Sequence, residues 1–252
     1  MTAWQNQPII RVRKGRYLFT FFINISAGVG GKCSMEGKRL TSYAMEELEC
    51  PKCGHKHSLK KYKVINVTEK AKLKEEIMKN RLYQFSCEEC EYMAPLTYDS
   101  LYVDSRKNIM IYMAPVMNAE IKVEIAELEQ EKGIDKRLVD NINDLKEKIM
   151  IADNHLDDRV IEIIKIMYID QMKKEMEDDT LLNILFDYNR DNYCFLVFFQ
   201  KKGIGKIPLT REFYRQGDKY KDAIKEHSMD SFMKVDMEWA GKILFKNHNK
   251  FN

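Results

Sequence analysis

Two C-x2-C pairs, Cys50-Pro-Lys-Cys53 and Cys87-Glu-Glu-Cys90, constrain this chain more than any other feature in it. Two residues between cysteines let one tight turn present both sulfurs to a single ion, so each pair supplies half of a tetrahedral shell. The spacing predicts one metal site ligated by Cys50, Cys53, Cys87 and Cys90. Zinc is the expected ion, since a closed four-thiolate shell is one of its structural sites. Iron is the rival, because four thiolates bind it too and a CPxCG knuckle also occurs in rubredoxin-type sites. In the first knuckle Pro51 restrains the turn and Gly54 permits a positive φ just past the second ligand, which lets backbone N–H groups point at the thiolates. The second knuckle, continued by Glu91, lacks both devices, and a less ideal turn is expected there. His55 and His57 follow the first knuckle. Four cysteines already close the shell and leave no position for water, so the histidines are expected outside it and the site is structural rather than catalytic.

The pairing also decides how the other cysteines are read. Six cysteines in a secreted chain would suggest disulfides, but two C-x2-C pairs fit the metal pattern better and leave Cys33 and Cys194 free. Thiolate ligands beside free thiols suit a reducing compartment, and the cytoplasm is expected. With 44% hydrophobic and 32% charged residues over 252 positions, the chain can bury a proper core. Forty-two basic residues against thirty-nine acidic ones leave +3, so no global field recruits nucleic acid or an anionic membrane. Any basic binding face has to be local.

Along the chain, residues 1–34 read as an N-terminal extension. Arg11, Arg13, Lys14 and Arg16 precede an apolar run from Tyr17 to Gly30 that is too short to span a bilayer. It reads as sequence upstream of a true start at Met35, with a signal peptide as the alternative. Residues 35–117 read as a small zinc-ribbon-like sheet with a helix inserted between the knuckles. A strand with one wet face is expected over Leu59–Val67, and a helix over Glu69–Lys79 capped by Thr68. A strand Leu82–Ser86 leads into the second knuckle, and Leu96–Val103 and Ile109–Met113 form a hairpin about a turn at Asp104–Asn108. Residues 118–134 read as an acidic helical linker. Residues 135–252 read as a second α+β unit: helices over Asp144–Ile151 and after Asp157 or Asp158, a hairpin of Leu181–Tyr188 and Tyr193–Gln200, and two closing helices around Tyr214 and Trp239. The fold class is therefore α+β throughout.

The stretches CPKCGHKHSLKKYKVINV, FSCEEC, IMIYMAP, LKEKIMIADNHLDDRVIEIIK and DMEWA resemble the CpXC domain family of bacterial proteins, over a span expected to run from Met35 to the C-terminus. The resemblance implies the four cysteines as a unit and carries no established activity with it. In that family the second knuckle often has Pro or Gly where Glu88 and Glu89 stand here.

Three functions follow from these residues. The first is a zinc-stabilised module that binds protein or nucleic acid through Lys56, Lys60, Lys61, Tyr62 and Lys63, against the plainer reading of a solvated strand face. The second is an enzyme using His155, Asp157 and Asp158, or Asp236 and Glu238 beside Trp239. Carboxylates at helix starts are ordinarily caps, and Gly203-Ile204-Gly205-Lys206 lacks the spacing of a phosphate loop. No serine elbow, HExxH helix or nucleotide fingerprint occurs. The third is a redox sensor that releases zinc when its thiolates are oxidised, with Cys33 or Cys194 as a pairing thiol.

Overall fold

The computed structural model describes residues 10–11, 39–172, 178–189, 192–225 and 230–247 of a mixed α+β chain. It divides into two compact units, Met1–Asn108 and Ile109–Asn252. Of the N-terminal extension read from the sequence, Ile10–Arg11 is the described part up to Ser34; Cys33 lies outside the described residues.

In the first unit, β1 (Ile10–Arg11), β4 (Gln84–Ser86) and β5 (Met93–Thr97) form a sheet of order β1-β5-β4, with β4 and β5 antiparallel. Strand β2 (Ser42–Glu49) runs antiparallel to β3 (Lys56–Asn66), which pairs in parallel with β6 (Ser100–Asp104). Each C-x2-C pair sits at the turn of one antiparallel pair, the first between β2 and β3 and the second between β4 and β5. The helix between the knuckles is present as α1 (Lys72–Met78), shorter than expected because Thr68 does not cap it. Asn66 Oδ1 instead accepts the N–H groups of Thr68 and Glu69, and the Thr68 hydroxyl accepts from Ser105 N. Leu73 and Ile77 of α1 are buried with Ile65, Val67, Tyr83 and Phe85. The single strand expected over Leu96–Val103 is two, β5 and β6, divided at Tyr98–Asp99. Tyr98 is buried there, its hydroxyl donating to the Leu82 carbonyl, and its ring stacks on Tyr83. The turn after β6 forms as expected, with Asn108 at φ 53.

The second unit opens with β7 (Ile109–Met113), buried at every position and parallel to β8 (Asp135–Val139). Between them lies α2 (Ala119–Leu128), capped by the Asn118 side chain. Helices α3 (Ile142–Asp153) and α4 (Asp158–Met172) follow, then the antiparallel sheet β9 (Leu181–Asn189), β10 (Asn192–Phe199) and β11 (Gly203–Pro208). Helices α5 (Arg211–Asp218), α6 (Lys221–Lys225) and α7 (Met237–Asn247) close the unit. A strand as apolar as β10 has to be buried on both faces or covered by a helix; one face, with Phe195 and Val197, is fully buried and the other half-buried. The core joins these residues to Val160, Ile161 and Ile164 of α4 and to Trp239 and Ile243 of α7. Gly217 lets α5 approach α4 closely, since a Cβ there would stand 2.8 Å from Val160 Cγ1.

Charge lies inside this apolar unit as well. Arg137 of β8 holds both oxygens of Asp158 at 2.7 and 2.8 Å. Lys148 reaches Asp158 at 3.3 Å and Glu162 at 2.9 Å, and Lys165 reaches Glu162 at 3.0 Å and Glu147 at 2.8 Å. All six side chains are buried, three cations against three anions. Burial raises the Asp158 carboxyl, but Arg137 and Lys148 outweigh it and hold the group well below the usual carboxylate range. Burial pushes Glu147 up despite Lys165, and Glu147 also accepts the N–H of Phe186 on β9. Such a network costs desolvation to form and is severely destabilising to break, since the orphaned partner stays buried. Lys165→Met is expected to cost about 3–5 kcal/mol in denaturant unfolding. Adding Glu147→Gln should recover part of that loss, because it removes the unpaired charge and keeps an acceptor for Phe186.

Candidate metal centre

The four cysteines predicted as ligands come together. Their sulfurs all lie within 4.8 Å of one another, with Cys50 and Cys90 3.7 Å apart and Cys53 and Cys87 3.6 Å apart. Four thiolates about 2.3 Å from a tetrahedral ion stand about 3.8 Å from each other, so the donor set and its spacing fit a zinc-sized ion. Cys50 and Cys87 are buried, Cys90 is half-buried and Cys53 is exposed. The centre thus has a covered side and a wet side.

Both knuckles use the same backbone device. In the first, Cys50 N donates to His55 O at 2.8 Å and Gly54 N to Cys50 O at 2.8 Å, with Gly54 at φ +74. In the second, Cys87 N donates to Tyr92 O at 2.8 Å and Glu91 N to Cys87 O at 3.0 Å, with Glu91 at φ 57. The second turn, expected to be less ideal, makes the same backbone bonds but places a non-glycine residue at positive φ. The turn closes identically, and Glu91 takes the left-handed position that glycine occupies in the first.

Electrostatics favour a cation at this spot. Burial raises the Cys50 thiol, but the N–H groups of Cys53 and Lys52 outweigh it and bring the thiol down to about 7. The His55 N–H lowers Cys53, yet burial and the neighbouring Cys90, Cys87 and Cys50 sulfurs push it up to about 12. Burial likewise raises Cys90 against the Tyr92 N–H. Sulfurs this close resist sharing negative charge, and a divalent cation removes that resistance.

His57 lies against the four-sulfur set. Its Nε2 lies 3.2 Å from Cys87 Sγ, and its ring meets Phe85 edge-on at 5.3 Å and His55 at 4.8 Å. Its alternation with Lys56 and Ser58 along β3 was the available signal, since the strand turns His57 away from those exposed side chains.

The lysine strand is less basic than its sequence. Lys61 is buried and pairs with Glu46 at 2.9 Å, Lys63 pairs with Asp99 at 3.2 Å, and Lys60 lies over the Tyr43 ring at 4.1 Å. Lys56 is exposed opposite Glu49 of β2, and Tyr62 is half-buried opposite Tyr43.

The residues weighed for catalysis have structural partners. Asp157 accepts the Arg159 N–H and pairs with its guanidinium, Asp158 belongs to the buried network, and Asp236 accepts the Trp239 N–H. Glu238 pairs with Lys242 one helical turn on, and His155 takes a left-handed turn conformation at φ 56. Gly203–Lys206 lies in strand β11. A cavity of about 110 Å³ in the second unit is lined in part by Glu147, Lys148, Glu162 and Lys165, which neutralise one another. Cys194 is half-buried 4.0 Å from Asp187, and burial followed by that carboxylate pushes its thiol up, away from a reactive thiolate. Among the described residues no helix is long and apolar enough to cross a membrane.

A mixed α+β chain whose two antiparallel turns bring four cysteines to one point defines a tetracysteine-knuckle protein. Residues 48–165 match the family model described as CpXC protein, the family that the cysteine motifs resemble. The matched stretch is shorter than the span from Met35 to the C-terminus expected from the resemblance. Neither the curated proteins nor the solved structures contain a match.

A non-glycine residue in the left-handed region costs on the order of 1 kcal/mol. Glu91→Gly is therefore expected to raise the stability of the metal-loaded chain by about that amount, less the extra freedom glycine gains on unfolding. The denaturant midpoint reads this directly, and a lower midpoint in the variant would refute it.

Proposed function

We propose that this chain is a zinc-stabilised binding module of a reducing compartment, the cytoplasm, in which Cys50, Cys53, Cys87 and Cys90 hold one structural Zn2+. The convergence of four sulfurs within 4.8 Å carries the reading. Four protein ligands fill a tetrahedral shell and leave no place for substrate, so the bound ion supplies folding free energy and fastens the β2–β3 turn to the β4–β5 turn. A sheet this small gains from such a fastening, because it buries little surface of its own.

The partner best supported is a protein. Strand β2 brings Glu46, Glu47 and Glu49 alongside the Lys56, Lys60, Lys61 and Lys63 of β3, leaving the hairpin, with Lys52 of its turn, a net charge of about +2, too little to hold a phosphate backbone. What the hairpin displays is Tyr43, 49% exposed, and Met45, 53% exposed, paired across the strands with Tyr62 and Lys60. Aromatic and methionine side chains of this kind are those enriched at protein interfaces.

Purified full-length chain is expected to carry one zinc per molecule and to be colourless, since zinc is d10. Cys50→Ala is expected to abolish stoichiometric zinc and unfold the first unit, because losing one ligand removes much of a binding free energy that is also folding free energy. Substoichiometric zinc and iron with four freely titratable thiols overturns the metal reading, and a visible iron chromophore turns it towards electron transfer. Salt-sensitive retention of nucleic acid by the native chain, lost in Lys56→Ala with Lys60→Ala, would favour the nucleic-acid reading over the protein one.

A further inference from the structure

The tetrathiolate reading leaves a charge to be dispersed, since four thiolates around a divalent ion carry a net charge of −2. Sulfurs 3.6–3.7 Å apart concentrate that charge, so a donor aimed at any one of them helps to disperse it. Cys87 is met by a side chain. His57 Nε2 stands 3.2 Å from its sulfur, within the range of an N–H···S bond.

We propose that His57 is a positioning residue of the metal centre, donating its Nε2–H to the Cys87 thiolate and thereby holding the buried corner of the shell in place. The inference rests on the metal reading above. Its geometry is specific. His57 is the second residue of β3, directly after the first knuckle, whereas Cys87 opens the second knuckle thirty residues further on. The bond therefore joins the two halves of the site through protein alone. The ring is steadied edge-on against Phe85, which lies on β4 two residues before Cys87, and against His55 on the other side. A thiolate can only accept, so the tautomer with the proton on Nε2 is the one this contact selects. Partners of this kind orient a ligand and tune its donor strength, and their loss typically lowers metal affinity about 10–100-fold. Cys87 is 2% exposed, so no water stands ready to replace the lost donor.

The test uses the full chain, Co2+ as a spectroscopic stand-in for Zn2+, and two variants. His57→Phe keeps a ring against Phe85 and removes the donor; His57→Gln keeps an N–H donor and removes the ring. Wild type is expected to give a four-thiolate Co2+ spectrum. His57→Phe should retain that spectral class with its sulfur-to-metal charge-transfer band moved to lower energy, and should bind Zn2+ about 10–100-fold more weakly in chelator competition. His57→Gln should recover part of both. Band position and affinity unchanged in His57→Phe overturn the role of His57 and leave the metal reading intact. A three-thiolate, one-imidazole spectrum in wild type overturns it differently, by making His57 a ligand. If wild type forms no cobalt–thiolate complex, the metal reading fails and the role of His57 with it. Weakening in His57→Gln as large as in His57→Phe overturns the hydrogen bond, since the donor that Gln keeps then recovers nothing.

Discussion

The first unit is organised by the requirement that two turns far apart in sequence deliver four sulfurs to one point. Each turn belongs to an antiparallel strand pair, so the position of a sulfur is tied to the register of a ladder: Glu49 opposite Lys56 on one side and Ser86 opposite Met93 on the other. A one-residue slip in either pair would turn every side chain to the opposite face and pull a cysteine from the cluster. The knuckles are therefore register locks as well as ligand turns. That explains why Glu91 is kept in a left-handed conformation despite its cost: the bond from Glu91 N to Cys87 O that closes the turn needs this backbone path.

What could be read in advance follows from how local each signal was. The ligand set was legible because a C-x2-C turn is a property of four consecutive residues, and the amphipathic helices were legible because their caps and apolar stripes are local too. Asn118 and Asn141 cap α2 and α3 by the same local logic. Strand β2 escaped notice because its half-buried positions carry Ala44, Glu46 and Leu48, and one of these three goes to an ion pair with Lys61. Strand β8, Asp-Lys-Arg-Leu-Val, reads as surface until the partner of Arg137 is known, and that partner is twenty-one residues away. Thr68 had the right chemistry for a cap, but Asn66 turned the chain first and left the threonine to serve Ser105. For β2 and β8 a contact distant in sequence outbid a local preference; for Thr68 a competing local turn did so first.

The lysine strand shows the same effect in functional terms. Four lysines in eight residues suggest an anion-binding surface when the strand is read alone. Pairing with β2 and proximity to Asp99 turn two of them into internal ion pairs and lay a third on a tyrosine ring. Charge on an isolated strand is thus a poor guide to the field outside the folded sheet, because antiparallel neighbours are selected for complementary charge across the ladder.

Both units place polar chemistry where apolar side chains would be cheaper. The six-membered ionic network buries charges that well-packed hydrophobic residues could replace without loss of stability. Its geometry suggests what charge adds there. Arg137 grips both oxygens of Asp158, and Glu162 takes two lysines on one oxygen, so contacts of defined direction tie α3, α4 and β8 together. Apolar contacts between the same elements have no such direction. The four sulfurs impose a comparable constraint on the β2–β3 and β4–β5 turns through spacing and charge. The residues matched to the CpXC family, 48–165, contain all four cysteines and all six members of the network, ending on Lys165 itself. The matched stretch thus carries both clusters, while β9 to β11 and α5 to α7 contribute apolar core residues, among them Phe186, Phe195, Ile224, Trp239 and Ile243. The contacts that fix direction in these two clusters thus lie inside the matched stretch, and the elements beyond it add the apolar core that packs on α4.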